Sequence, residues 1–504
     1  MTLLRAAASL VDVPKLVGAG GTAMAGLAPF LLEQFLQGIL AESSHAGEGH
    51  HLPFLLEVFI ILRDNLVPAC CRLSGGDISN RAALALEAAA TTMLKFAAGA
   101  GPGGSGIFCA SEGGADLCVL SAETAAAVAR GLSEATQVTL AAQAETLVAQ
   151  YRATGLEQPE VLLAQSAVLL GFPEGIALEK PGELAQTLLL GALSCPAASL
   201  ALALAESMGG VLAKLKDQSD LTAAAELILD ATLYPRLAIS DDDSQESRRG
   251  LMCLAWICRA LVARSHPRAK GELLNLMAFC SGNCALGAAQ GLGVVIGDAV
   301  ADRCALNLWP RRFLHCQWVF SVCLPALSAR DAESDGDRAA RGVLRAKAWL
   351  IVSVPPAVAQ QALGPRLSSS LVGAFQALLA PDDPHDADAQ LLDSLIRYIG
   401  AVLNAEPSKL SEGLLKHAVA LAGHLTDCSS FGSGWGALGV VAADRVRETA
   451  LLALAVLATT APKADLFPQL HPIRRRLEQA RDDPRRAVRA AAVKALRAWS
   501  SALS

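Results

Sequence analysis

A short pattern recurs in the C-terminal part of the 504-residue chain, 42 residues apart (positions 446 and 488). The segment Val446–Ala450 reads VRETA, and the segment Val488–Ala492 reads VRAAA. In each copy the Val opens the buried face of a helix, and the Arg projects from the same turn, where it can bond acidic neighbours. The Ala residues that follow let two helices pack closely. A period of this length restricts the chain to a fold of stacked helical units.

The composition excludes the main alternatives to a helical fold. Hydrophobic residues make up 53% of the chain and aromatic residues only 4%, and Ala and Leu are abundant. Ala and Leu favour helices, whereas strands favour β-branched and aromatic residues. The offset of the repeat lies in the range of roughly 40–47 residues that is typical of HEAT and armadillo repeats. The sequence therefore predicts an all-α fold, a HEAT/armadillo-type α-solenoid of stacked helical hairpins.

Prolines and glycines divide the chain into apolar segments. Four prolines each follow a long apolar segment and are predicted to end its helix: Pro267, Pro355, Pro407 and Pro462. The clearest helical stripe has steps of three and four residues: Leu391, Leu392, Leu395, Ile396, Ile399, Val402 and Leu403. We expect N-terminal helical repeats with Gly-rich loops over 1–110, middle repeats over 111–245, and a C-terminal HEAT-repeat domain over 246–504.

One uncharged stretch, residues 184–205, is long enough to span a bilayer. It lacks a Trp/Tyr belt and flanking clusters of basic residues, and Ser, Thr and Gln dilute its apolar character. Two buried helices that meet at Cys195-Pro196 explain it better. We therefore expect no contact with a membrane.

The sequence offers candidates for a metal site but no ligand spacing that supports them. The densest group of soft ligands comprises Cys280, Cys284, Cys304, His315, Cys316 and Cys323, and a polar loop holds His45, His50 and His51. No CxxC motif occurs, and Gly282-Asn283 favours a turn between Cys280 and Cys284. The 13 Cys are scattered through apolar segments, as in a reduced cytosolic or nuclear protein. We expect no metal and no cofactor.

Catalytic patterns are also missing from the sequence. The Gly-rich stretches over 18–26 and 99–106 do not end in the Gly-Lys-Ser/Thr of a phosphate loop. No spacing argues for a Ser/His/Asp arrangement or for a pair of catalytic carboxylates. We therefore expect a protein that is not an enzyme.

The C-terminus is basic on a chain whose net charge is −6. Its cations are Arg474, Arg475, Arg476, Arg481, Arg485, Arg486, Arg489, Lys494 and Arg497, against Glu478, Asp482 and Asp483. One interpretation is a solvated repeat face in which Arg489 belongs to an internal ladder. The other is a docking surface for an acidic partner, with Arg474, Arg475, Arg476, Arg485 and Arg486 as the binding residues. Direct binding of nucleic acid is not expected, because only Trp499 adds an aromatic ring to this segment.

Three stretches resemble one known family. The first runs from Leu466-Phe467-Pro468 through 482–489 to Trp499, and the second is 255–261 followed by Arg264 and His266-Pro267. The third is 193–196, with an Ala-rich segment after it. These stretches are similar to the large HEAT-repeat adaptor of cytosolic iron–sulfur protein assembly, a family first named for methyl-methanesulfonate sensitivity and also linked to DNA repair and transcription. The resemblance covers 245–504 well and 185–245 in part.

The resemblance implies a non-enzymatic scaffold of the nucleus and cytoplasm. Its partners would be the subunits of the iron–sulfur targeting complex and apo-proteins that receive Fe–S clusters, such as DNA helicases, polymerases and primase. Family members are longer, so we expect this chain to correspond to a C-terminal part or a truncated form. Arg485, Arg486 and Arg489 match the family's terminal pattern. The alternatives are a generic HEAT adaptor in transport or phosphatase assembly, and a metal carrier that uses the 280–323 region.

Overall fold

The computed structural model describes most of the chain as helix. It covers residues 28–43, 52–71, 76–98, 112–153, 159–171, 180–239, 244–297, 312–330, 337–379, 391–398, 437–460 and 463–503, apart from single positions within these ranges. Within them the chain is overwhelmingly helical and forms no β-strand. The predicted all-α class is therefore confirmed. None of the described helices combines the length and apolar composition needed to span a bilayer.

The described helices fall into two compact units, the first ending at Ala269 and the second formed by the helices that follow. The predicted boundaries near 110 and 245 stay predictions. The helices of the first unit are α1 Ala28–Ser43, α2 Leu52–Ile61, α3 Val67–Cys71, α4 Gly76–Ala97, α5 Glu112–Gly131, α6 Glu134–Ala153, α7 Pro159–Gly171, α8 Pro181–Ser194, α9 Ala198–Lys214, α10 Gln218–Ile228, α11 Tyr234–Ile239 and α12 Gln245–Ala263. Single π-helical turns join α2 to α3 over 62–66 and α10 to α11 over 229–233.

The first unit has two layers of helices. In one layer, α5, α7, α9 and α12 pack on one another in succession, and in the other α8 packs against α10. Helix α8 also packs against α9, its neighbour along the chain, as the two arms of a helical hairpin do. Each hairpin buries its apolar side chains against the next one, so the core of this unit runs between the layers.

The uncharged stretch over 184–205 forms two helices, as predicted. Helix α8 ends at Ser194, Cys195 and Pro196 make the break, and α9 begins at Ala198. The guanidinium of Arg249 in α12 donates to the carbonyl oxygens of Leu193 (3.3 Å) and Pro196 (3.2 Å). A cation placed at the C-terminus of a helix satisfies carbonyls that have no partner inside the helix.

Cations from neighbouring helices bond other helix ends in the same way. The Lys214 ammonium at the end of α9 donates to the carbonyl of Leu170 at the end of α7. The Arg264 guanidinium, just after α12, donates to the carbonyl of Lys216, just after α9, at 3.1 Å. These bonds join the C-terminal end of α7 to that of α9, and the C-terminal end of α9 to that of α12. The three helices of this layer therefore have their C-terminal ends on the same side of the layer. The sequence carries no pattern that predicts these bonds.

The second unit continues the helical pattern. Its helices are α13 Ala269–Phe279, α14 Ala285–Ile296, α15 Arg312–Arg330, α16 Asp337–Val352, α17 Pro356–Leu363, α18 Arg366–Leu379, α19 Ala437–Thr460, α20 Lys463–Leu466, α21 Leu470–Ala480 and α22 Arg486–Leu503. Helix α16 packs against α14, α15 and α18, and α22 packs against α19 and α21. The Arg330 guanidinium donates to the carbonyl of Ala278 at 3.0 Å, which repeats the bonding of a helix end by a cation.

In each unit a tryptophan side chain packs closely on a glycine of a neighbouring helix. A Cβ atom on Gly209 of α9 would lie 3.1 Å from the Trp256 side chain in α12. A Cβ atom on Gly293 of α14 would lie 2.5 Å from the ring of Trp349 in α16. Only glycine leaves room for the ring at so close an approach. The two pairs place matching contacts in the two units.

The predicted helix ends are confirmed at two of the four prolines. Helix α12 ends at Ala263 before Pro267, and α16 ends at Val352 before Pro355. Pro407 and Pro462 lie outside the described residues. Of the Leu391–Leu403 stripe, Leu391 and Leu395 are buried, and the remaining positions of that stripe lie outside the described side chains.

Candidate partner-binding site

The predicted binding arginines lie in α21 and at the start of α22. Helix α22 buries five side chains as it packs against α19 and α21: Val488, Ala491, Ala492, Ala495 and Trp499. The Trp499 indole donates from Nε1 to the carbonyl oxygen of Leu454 in α19 at 2.9 Å. Val488 therefore opens the buried face of α22, as the sequence repeat predicts, whereas Leu496 is only half-buried.

Asp483 connects the two copies of the sequence repeat. Arg447, from the first copy, lies with Nε 3.3 Å from Asp483 Oδ2, and both side chains are buried. Arg489, from the second copy, donates from Nη1 to the backbone carbonyl of Asp483 at 2.7 Å. Asp483 Oδ1 also accepts the backbone N–H of Arg485 at 2.8 Å, which supports the start of α22. The predicted bonding of a repeat arginine to an acidic neighbour is therefore present for Arg447, whereas Arg489 bonds the backbone of Asp483.

All five predicted binding residues are exposed to solvent. Arg474 donates from Nε to Glu478 Oε1 at 3.0 Å, within one turn of α21. Arg475 and Arg476 are also exposed on α21, while Arg485 and Arg486 are exposed where α22 begins. The ion pair of Arg474 is open to water on both sides, so it contributes little to stability. Binding of a partner by these arginines stays a prediction.

Phe467 lies in the turn that precedes the arginines of α21 in the chain, and nothing in the sequence assigned it a role. It is 69% exposed, in the 3₁₀ turn Phe467–Gln469 that leads into α21. Its neighbour Leu466 is fully buried, so Leu466 packs in the core while the ring of Phe467 is exposed to water. The only signal in the sequence was the pairing of two large apolar residues before a basic helix.

The thiols do not form a metal site in the described residues. Cys280 and Cys323 are fully buried, and burial raises the pKa of both thiols, that of Cys323 to about 12. A buried thiol with a raised pKa stays protonated at neutral pH and is a poor ligand. Helix α13 ends at Phe279 and α14 begins at Ala285, so Cys280 and Cys284 do not share a helix face.

The other candidate ligands give no metal site either. Within the described ranges, no three His, Cys, Asp or Glu side chains come together as ligands. Cys304 and the polar loop with His45, His50 and His51 lie outside those ranges. The absence of a resident metal or cofactor stays a prediction.

The His-Pro stretch forms a tight corner at the end of α12. Ser265 adopts a positive φ of 51°, and the N–H of His266 bonds the carbonyl of Leu261 at 2.8 Å. The N–H of Ser265 bonds the carbonyl of Val262 at 2.9 Å. Together these bonds close the helix end as a Schellman motif, although a serine stands where glycine is usual.

The imidazole of His266 is bonded at both nitrogens. Its Nδ1 accepts the backbone N–H of Arg268 at 3.2 Å, so the proton lies on Nε2, which is 2.9 Å from Thr222 Oγ1 in α10. Burial lowers the pKa of His266, and the positive charge of Arg268 lowers it further. The Arg268 guanidinium forms two hydrogen bonds of 2.9 Å with Asp230. This corner is a structural junction, and its polar groups are occupied by one another.

Comparisons with known proteins give a matching family and similar solved structures. The C-terminal family of MMS19, described as an RNA polymerase II transcription regulator, matches residues 117–458, which is more than half of the chain. The match begins further towards the N-terminus than the residues that carried the sequence resemblance, and it ends just before the arginines of the terminal helices. No curated protein matches the chain.

One of the similar solved structures is an engineered protein from the Northeast Structural Genomics Consortium. It has 15% sequence identity and a TM-score of 0.32, and the alignment covers 86% of this chain and 98% of that one. A similarity at this level carries no argument about the fold or the function. The family match and the helical architecture do agree with each other. The chain, an all-α helical repeat protein, belongs to the MMS19 C-terminal family of RNA polymerase II transcription regulators.

Proposed function

We propose that this chain is a non-enzymatic HEAT-repeat scaffold of the cytosolic iron–sulfur protein assembly targeting complex. It acts in the nucleus and cytoplasm and holds apo-proteins of DNA repair, replication and transcription while they receive their clusters. Its partners are the subunits of the targeting complex and clients such as helicases, polymerases and primase. The observation that carries the proposal is the family match over 117–458.

The architecture supports a scaffold. Stacked helical hairpins present extended binding surfaces, which suits a protein that holds several partners at once. The thiols of Cys280 and Cys323 lie away from solvent, and burial raises the pKa of both, which does not favour them as ligands of the cluster. In this role the terminal arginines form the docking surface, because they supply positive charge on a chain that is acidic as a whole.

A pull-down with the purified chain tests the proposal. The affinity-tagged full chain is incubated with purified subunits of the iron–sulfur targeting complex, and the bound fraction is quantified at low and at moderate salt. We expect stoichiometric capture that weakens as salt rises, because charged contacts are screened. Absence of capture at low salt by a folded chain would reject the proposal.

Replacement of the thiols provides the second arm of the experiment. Cys280, Cys284 and Cys316 are changed to Ser, and melting is recorded for each variant. The scaffold role predicts unchanged capture by every variant that stays folded. Loss of capture by a folded Cys variant would favour the metal-carrier alternative.

A further inference from the structure

We infer that the terminal helices carry a docking site for an acidic peptide segment of a partner protein, with the exposed ring of Phe467 as its apolar anchor point. Arg475 supplies the charge that the carboxylates of this segment would meet. The inference rests on the proposed function, because it specifies the chemistry through which a partner would bind the terminal surface.

The segment from Leu466 to Ala480 has two opposite stripes. The buried stripe comprises Leu466, Ile473, Leu477 and Ala480. The exposed stripe comprises Phe467, His471, Arg474, Arg475 and Glu478. Both follow steps of three, four or seven residues, apart from the adjacent Arg474 and Arg475, so each occupies one side of the turn and helix. The exposed ring of Phe467 therefore lies on the same side of this element as Arg474 and Arg475.

Phe467 contributes little to the fold from its present position. Its exposed fraction of 69% is the largest among the large apolar side chains in the described part of the chain. Burying an aromatic ring is strongly favourable, and most of this ring is exposed in the folded chain. A partner that covers the ring would therefore gain the free energy of its burial. Aromatic residues and arginines are the types that most often dominate the energy of protein interfaces.

The charges next to the ring select an acidic occupant. Arg475 is exposed and lies opposite the buried stripe of α21. The carboxylate of Glu478 is engaged by Arg474, so it offsets the charge of that residue alone. The side of α21 that carries Phe467 is therefore positive, and carboxylates of a partner would complement it.

The same surface suits a peptide better than a nucleic acid. Exposed Glu478 and Asp482 are interspersed among the arginines. A nucleic acid carries a closely and evenly spaced row of phosphates, which would meet these carboxylates. A peptide can place its few acidic residues opposite the arginines and its apolar side chain on Phe467.

Fluorescence anisotropy with synthetic peptides tests the inference on the full chain. The first probe is a labelled Glu-rich peptide with one central Phe, and the second replaces that Phe by Ser. We expect Phe467→Ala to weaken binding of the first probe about tenfold and to leave binding of the second unchanged. Arg475→Glu should weaken both probes about tenfold.

Matched variants elsewhere serve as controls. Phe313→Ala removes another exposed aromatic ring, and Arg366→Glu reverses another exposed arginine. Both should bind the two peptides like the parent chain. All four variants should melt like the parent, because none of the changed side chains is buried.

Three outcomes would overturn the inference. The first is equal affinity of the parent and the folded Phe467→Ala variant for the Phe-containing peptide. The second is equal loss of affinity in the control variants. The third is a single-stranded oligonucleotide that binds more tightly than the peptide and displaces it, which would assign the surface to nucleic acid.

The failure of this inference is distinguishable from failure of the proposed function. If the parent chain captures the targeting-complex subunits while the Phe467→Ala and Arg475→Glu variants bind the peptides like the parent, only the docking site is wrong. If the parent captures none of the subunits but binds the Phe-containing peptide through Phe467, the docking site stands and the scaffold role is wrong.

Discussion

Arg447 and Asp483 form a buried ion pair that joins α19 to the turn before α22, with Nε and Oδ2 3.3 Å apart. Arg447 lies in α19 and Asp483 lies in the turn between α21 and α22, so the pair joins segments that are far apart in sequence. The carboxylate of Asp483 also accepts the N–H of Arg485, so it both pairs with Arg447 and supports the start of α22.

Removing that carboxylate should destabilise the terminal helices. Asp483→Ala leaves the guanidinium of Arg447 buried without its counter-ion, and we expect a loss of about 3 kcal/mol. Asp483→Asn keeps an acceptor for the Arg485 N–H and should lose less. Thermal unfolding followed by circular dichroism measures the effect. Asp482→Ala, at the exposed neighbouring position, should change stability by less than about 0.5 kcal/mol, and equal effects at the two positions would contradict the role of the ion pair.

The buried face of α22 gives a second prediction. Val488 is 1% exposed, so Val488→Asp places an unpaired charge in the core between α22 and its neighbours. We expect a loss of several kcal/mol, seen as a lower melting temperature. The control is Val138→Asp on α6, where the side chain is 64% exposed and the change should be small. A Val488→Asp variant that melts like the parent would show that this face is wrongly assigned.

The contact between Gly293 and Trp349 gives a third prediction. Gly293→Ala would place a methyl group 2.5 Å from the indole ring, and we expect overpacking to cost about 1–3 kcal/mol. The matched change Gly271→Ala, also within a helix, meets no atom within 4 Å. It should be neutral or stabilise the chain by up to about 1 kcal/mol, since alanine favours helix. Chemical denaturation of the two variants compares them directly, and similar losses in both would refute the steric explanation.

His266 predicts a pH dependence of stability. Its folded-state pKa is lowered, so as pH falls through about 6.5 the unfolded chain takes up a proton before the folded one does. Stability from this group is therefore present above that pH and is lost below it, until the folded-state pKa is reached. His266→Asn should flatten the fall in melting temperature between about pH 7.5 and about pH 5.5. Parallel curves for the parent and the variant would argue against this effect.

The arginines at the start of α22 give a prediction about binding. Arg485→Glu with Arg486→Glu should weaken capture of the targeting-complex subunits, most clearly at moderate salt, because exposed charges act mainly on association. The fold should survive, since both side chains are exposed and carboxylates suit the N-terminus of a helix. Arg489 is kept, because it bonds the carbonyl of Asp483. Unchanged capture by the folded double variant would exclude these two residues from the interface.

Much of the local structure could be predicted from the sequence. The break at Cys195-Pro196 was readable because proline cannot continue a helix and the stretch is too polar and too poorly flanked for a membrane span. The buried face of α22 was readable because its apolar residues recur every three or four positions. Both signals lie within a few residues of the structure that they determine.

The site was predictable only in part. The exposure of the five arginines follows from their places outside the apolar stripes of α21 and α22, which is a local property. The exposure of Phe467 does not follow, because sequence alone cannot tell which of two adjacent large side chains, Leu466 or Phe467, enters the core. Packing against the neighbouring helices made that choice.

The sequence by itself determined the helical class, the period of 42 residues and the polar outer face of the terminal helix, because all three depend on spacing along one helix or one repeat. Only the tertiary structure decided which groups meet between repeats. Arg447 and Arg489 converge on Asp483, Arg264 bonds the carbonyl of Lys216, and Trp349 lies on Gly293. Each of these partners was selected by the packing of separate helices, and backbone carbonyls, which every residue has, leave no mark in the sequence.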